Sequence, residues 1–166
     1  TDVGIVSMRF VGEPFIFSFT EVAEGPSLIG PNAAVSANNR VYFMDSGGFY
    51  SYSGSAEKIP CTVLDYVLSD LNQGQAFKVF AAVNNIANEV MWFYPSGTNT
   101  EIDKYVLYNY LENVWSIGTT DDGFTRTAWD EASILEYPIA ASKNDSSNLN
   151  YVYNHEKGHG NDGSNF

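Results

Sequence analysis

Lysine and arginine are scarce in this chain. Eight stand against 20 aspartates and glutamates, leaving a formal net charge of −12 at neutral pH. Gripping a nucleic-acid backbone takes clustered cations that neutralise phosphates, and here they are scattered from Arg9 to Lys157 without a run. Specific nucleic-acid binding is therefore not expected. An acidic wall still lets a polyanion pass without sticking, although solubility alone is the simpler account of the charge. Cysteine is rarer still. Cys61 stands alone, so neither an intramolecular disulfide nor zinc-type cysteine spacing is available. No histidine lies near it in sequence, and it reads as a small, half-buried apolar residue beside a helix start rather than as a nucleophile. No run of 18 apolar residues occurs, which argues against a membrane-spanning helix. Nor does a basic segment followed by an apolar core mark a signal peptide. The chain starts at Thr1 without an initiator methionine and stops at Phe166 after a Gly-rich stretch, so both ends read as cuts through a longer protein.

What the chain does have is aromatic residues, 15% of the total with 11 Tyr and 11 Phe, within an apolar fraction of 44%. Flat rings cover cross-strand neighbours on a pleated surface, so this composition favours strands. A pattern recurs three times: a small-residue strand start, a polar turn, then an aromatic strand. Ala33-Ala34-Val35 leads through Asn38-Asn39 to Val41-Tyr42-Phe43-Met44. Ala81-Ala82-Val83 leads through Asn84-Asn85 to Val90-Met91-Trp92-Phe93-Tyr94, and Ile139-Ala140-Ala141 leads through Lys143-Asn144-Asp145 to Tyr151-Val152-Tyr153. Strand-only units repeating every few tens of residues point to radial β architecture, chiefly the β-propeller. The uneven spacing of Ala33, Ala81 and Ala140 rules out a strict solenoid of fixed period.

The expected fold class is all-β, a partial propeller of antiparallel four-stranded blades with one short helix at about residues 62–73. Residues 1–31 form a strand pair and linker, in which Phe15, Phe17 and Phe19 make an aromatic face at period two. Residues 32–60 form a blade, with Ser46-Gly47-Gly48 as a tight hairpin turn. Residues 61–75 make a helical connection. Thr62 and Asp65 suggest a capping box, Val63, Leu64, Val67, Leu68 and Leu71 share one face, and Gly74 ends the run. Residues 76–129 form a second blade that takes in a short strand at Arg126-Thr127-Ala128-Trp129, with an exposed polar loop over 95–102. Residues 137–166 begin a further blade. Closure of a propeller takes about four to eight blades, so three partial ones fit a fragment.

Motifs that carry chemistry are few. His155-Glu156-Lys157-Gly158-His159 matches the His-Glu-x-x-His zinc pattern, which works only when a helix puts both imidazoles on one face. Here it follows a Tyr-Val-Tyr strand and is interrupted by glycine, so a polar loop is expected and no metal. Thr119 to Thr125 resembles an Asp-box, with Arg126 where an aromatic belongs, and such a box is a hairpin brace rather than a catalytic element. Asn161-Asp162-Gly163 and the acids near Asp121 lack the spacing of a calcium loop. Glu101 and Asp103 fall together on a loop rim without a visible cleft. No catalytic, cofactor-binding or metal residue is assigned, and no enzyme activity or cofactor is expected.

The ordered set Met8-Arg9-Phe10-Val11-Gly12, Gly48-Phe49-Tyr50-Ser51-Tyr52-Ser53-Gly54, Ile59-Pro60-Cys61-Thr62-Val63, Glu89-Val90-Met91-Trp92-Phe93-Tyr94-Pro95 and Lys104-Tyr105-Val106-Leu107-Tyr108 resembles a family of large structural tail or virion proteins of tailed bacteriophages. These are similar in architecture to the propeller-bearing hub and nozzle proteins of short-tailed phages. The resemblance implies a non-enzymatic subunit of the tail or head-to-tail connection, localised to the virion. Its partners would be other copies of itself in a ring and neighbouring tail, portal or adaptor proteins, and its acidic surface would suit passive lining of a DNA channel. Exposed Tyr and Trp at the rims of the loops over 95–102 and 119–123 are the expected contact residues. The alternatives are a carbohydrate- or receptor-binding β module and, further off, a sialidase-like propeller hydrolase, which would need Arg9, Arg40 and Arg126 to converge.

Overall fold

The computed structural model describes residues 4–120, 126–131, 134–143, 150–157, 160–161 and 164–165. Antiparallel meanders of three or four strands dominate it. β1 (Gly4–Phe10) and β2 (Phe17–Glu24) form a two-stranded ribbon. The first four-stranded sheet runs β3 (Ala34–Ala37), β4 (Arg40–Asp45), β5 (Gly48–Tyr52) and β6 (Ala56–Ile59) in simple order. The second repeats that order with β7 (Phe80–Asn84), β8 (Glu89–Tyr94), β9 (Lys104–Asn109) and β10 (Val114–Thr119). A three-stranded sheet follows, β11 (Ala128–Asp130), β12 (Ile139–Lys143) and β13 (Asn150–Asn154), and then a short pair, β14 (Gly160–Asn161) and β15 (Ser164–Asn165).

The turns explain why the strands pair as they do. Asn38 and Asn39 both adopt positive φ, +47° and +58°, the conformation a two-residue hairpin loop needs to match strand twist. At the next turn Asp45 is buried, and its carboxylate accepts from the Gly47 N–H at 2.6 Å and the Ser27 N–H at 2.7 Å. One carboxylate thus shapes the β4–β5 turn and ties it to the segment that enters the sheet. In the second sheet the Asn109 side chain accepts from the Leu111 and Glu112 N–H groups, and Asn113 takes positive φ to close the β9–β10 turn.

The first and second sheets pack face to face around three rings. Phe49 of β5 lies 4.7 Å from Trp92 of β8 and 4.7 Å from Trp115 of β10, centroid to centroid. Both indoles are also hydrogen-bonded, Trp92 to the Ala33 carbonyl at 3.2 Å and Trp115 to the Pro60 carbonyl at 2.8 Å. The opposite face of the second sheet carries Met91 and Phe93, against which Trp129 of β11 packs at 5.9 Å. β8 is therefore covered on both sides, and Val90 through Tyr94 are all buried, a continuous apolar run rather than an alternating one. The edge strand β10 is mostly exposed instead, with Trp115 its one buried residue. First strands also adjoin one another: β3 runs parallel beside β7 at Asn32 and Phe80, where the Ala81 N–H reaches the Asn32 carbonyl at 2.8 Å, and β7 lies against β11.

Three expectations need correction. The helix is shorter than 62–73: α1 spans Leu64–Asp70, its N-cap is Val63, and no side chain caps it. Thr62 lies outside the helix, and Gly74 falls within a following 3₁₀ helix, Gln73–Lys78, capped by the Asn72 side chain. Burial of Val67 and Leu71 in the core holds this short segment, as tertiary packing generally does for helices too short to stand alone. At its end Asp70 accepts from the Tyr94 hydroxyl at 3.2 Å and from Lys104 at 2.8 Å. Second, the strand around Trp129 belongs to the third sheet and not the second, because β11 pairs with β12. Third, the Ile139-Ala140-Ala141 anchor consequently lies on the second strand of its sheet, whereas the other two anchors lie on first strands.

Two mutations test this packing. Trp92→Ala should cost about 3–5 kcal/mol in urea unfolding, with Trp92→Phe intermediate because the indole hydrogen bond to Ala33 goes too. Gly118 faces Tyr105 across β10 and β9, and a Cβ there would overlap the phenol ring. Gly118→Ala should therefore destabilise by about 1–3 kcal/mol, against the usual sign for that substitution in a strand.

Candidate functional site

The zinc-like motif begins where β13 ends. The His155 N–H donates to the Pro138 carbonyl at 2.7 Å, and the imidazole packs against Trp129 in a tilted contact at 4.7 Å. Arg126 donates from Nε to His155 Nε2 at 3.0 Å while its guanidinium lies 4.3 Å from the centre of the Tyr153 ring. Glu156 has φ +58°, so the backbone turns out of any helical path immediately after the histidine. Gly158 and His159 lie outside the described residues. Among the described residues no group of three or more His, Cys, Asp or Glu is placed to hold a metal ion. Burial, reinforced by the Arg126 charge, pushes the His155 pKa down to about 4. A neutral imidazole accepting from Arg126 is a packing element of the third sheet.

The paired acids are also structural. Glu101 bridges to Lys78 at 3.1 Å. Asp103 accepts from the Ser96 N–H and hydroxyl at 2.7 and 2.6 Å and from the Asn99 amide at 2.7 Å. The loop over 95–102 is thus tied down rather than wholly exposed: Pro95, Ser96 and Ile102 are buried and only Gly97 to Thr100 are open to water. Of the Asp-box, Thr119 ends β10 and the Thr120 N–H donates to the Asp103 carbonyl, while residues 121–125 lie outside the described residues. So do Asp162 and Gly163 of the calcium-like turn. Burial pushes the Cys61 thiol up, away from the thiolate a nucleophile needs. Arg9 sits on β1, Arg40 on β4 and Arg126 just before β11, in three different sheets.

Exposed aromatic surface lies elsewhere than expected. Trp92 and Trp115 are buried and Trp129 is half-buried, so no tryptophan forms a rim. The open surface is the β1–β2 ribbon. Phe10, Phe15, Phe17 and Phe19 are 49–75% exposed, as are Met8 and Val6 to similar degrees. Register places Phe10 opposite Phe17, Met8 opposite Phe19 and Val6 opposite Glu21, so these side chains share one face. The other face carries Ser7 opposite Thr20 and Arg9 opposite Ser18. The ribbon is amphipathic with its apolar side turned to water. At its base, Ile5, Val6 and Leu28 meet Val41, Phe43 and Tyr52 of the first sheet around an apolar cleft of about 250 Å³. Contiguous exposed apolar surface of this kind marks an interaction site. The period-two Phe15, Phe17 and Phe19 were legible in sequence; their partners Met8 and Phe10 follow only from the register. The chain matches no protein-family model and no curated protein sequence.

The histidine brace predicts a pH dependence. An unfolded imidazole binds its proton below about 6.5, whereas the folded one resists until about 4. Between those values the unfolded state takes up more protons, so this contribution is full at neutral pH and falls as pH falls. The stability advantage of wild type over His155→Gln should shrink as thermal unfolding is repeated from neutral pH toward pH 4. An advantage that stays constant or grows would contradict the neutral-acceptor geometry.

Proposed function

We propose that this chain is a structural component of a tailed-phage virion, a tail hub, nozzle or head-to-tail connector subunit, built on successive blades of a β-propeller. The reading rests first on the repeated sheets. Two meanders of the same strand order stack face to face, and β3, β7 and β11 follow one another side by side, as inner strands do around a common axis. The resemblance of its aromatic segments to phage tail proteins supports the same assignment. The observation that carries it is the ribbon: its apolar face is directed outward on a chain whose other large rings are mostly used internally. A protein that works by assembly needs such a surface, and its mechanism is contact geometry.

The carbohydrate-binding alternative draws less support. Sugar-stacking platforms use exposed Trp or Tyr, and here Tyr66 and Tyr151 are only moderately open and lie on separate elements.

Antiserum against the chain should place immunogold at the tail or head-to-tail junction of purified particles, and its peptides should be recovered from them by mass spectrometry. A chain found only in the particle-free fraction, or one that binds a glycan array tightly, would overturn the assignment.

A further inference from the structure

The ribbon has an apolar face too large to leave wet. Scaled by their 49–75% exposure, the 150–250 Å² that an aromatic side chain can bury leaves about 400–650 Å² open across the four phenylalanines. Val6 and Met8, also exposed on this face, bring the patch toward the ~800 Å² that one side of a stable interface covers. A two-stranded ribbon is moreover marginal in water without a covering layer, and the described residues place no strand beside either of its edges.

The same ribbon carries a knob at one end and a hole at the other. Phe15 stands at the tip, in the 11–16 connection, and is 75% exposed. The cleft of about 250 Å³ opens at the base, and Val6 belongs both to its lining and to the apolar face, so face and cleft are one surface. Cavities of ~150 Å³ lined by apolar groups already hold benzene, so this one accommodates a phenylalanine ring. The seven residues of β1 span roughly 23 Å between the two features.

We propose that this face is covered by the same face of a second copy of this chain, the two ribbons packed antiparallel across a two-fold axis with each Phe15 seated in its partner's basal cleft. A single two-fold satisfies both knobs and both holes, the self-complementarity that an isologous contact requires. The separation of knob and hole selects the antiparallel arrangement, because Phe15 stands at the tip and the cleft at the base, so only opposed ribbons bring one to the other. The proposal rests on the ribbon being a contact surface and not on the virion assignment.

The test is the association state of the chain, followed by light scattering and sedimentation. Wild type should behave as a dimer that dissociates on dilution. Met8→Glu/Phe19→Glu, which alters only exposed side chains, should weaken association at least about tenfold while leaving the thermal melt unchanged at dilutions where wild type is monomeric. In a Cys61→Ser background, Phe15→Cys chains mixed with Leu28→Cys chains should oxidise to covalent dimers, and Phe15→Cys alone should not. A monomeric wild type would overturn the proposal, as would a dimer indifferent to the double substitution or tip-to-tip crosslinking of Phe15→Cys. A wild type that stays monomeric but takes an unlike protein on this face would also overturn it, and would leave the virion assignment standing. Absence from particles would remove that assignment and leave the dimer intact.

Discussion

The contact among Phe49, Trp92 and Trp115 is the constraint the rest of the structure depends on. It joins the first two sheets, and its two indole N–H groups reach backbone carbonyls at Ala33 and Pro60, at the start of one sheet and just past its last strand. Packing area and donor satisfaction therefore coincide, and both orient the second sheet on the first. With the sheets locked in this way, β3 and β7 come side by side, and the opposite face of β8 is left to receive Trp129. That ring in turn donates to the Val83 carbonyl and supports His155.

Polar groups inside this stack serve geometry. Asp45, Asp70 and Asp103 each take two or more donors from segments that are separate in sequence, closing turns against neighbouring elements. Asp45 is the buried one among them, and a buried carboxylate left without such donors costs several kcal/mol, so it specifies its turn strongly. The acidic residues that resemble catalytic pairs or metal ligands in sequence are largely these braces. Against this interior the β1–β2 ribbon stands out, because most of its apolar side chains stay exposed.

Much of the architecture was legible from the residues. Period-two patterning and turn chemistry located the strand pairs, and Asn38-Asn39 and Gly47-Gly48 announced their hairpins, since Asn38, Asn39 and Gly48 take the positive φ that few other residues accept. The expectation of an all-β chain holds. Helix limits were less legible, since Thr62 offered a capping signal that the fold does not use and α1 is held by burial of Val67 and Leu71 instead. The partner of the Trp129 strand was not legible at all. Three residues carry too little pattern to choose between two sheets, and the choice falls to where its ring can pack.

The sequence by itself determined strand content, the aromatic composition of the core and the positions of the tight turns, because these follow from local backbone preference and side-chain period. Only the tertiary structure decided which rings meet and which stay wet. A tryptophan and a phenylalanine in alternating strands look alike along the chain, yet Trp92 is sealed between sheets and Phe15 stands in solvent. That difference depends on what lies across the fold, and burial is a property of the partner surface as much as of the residue.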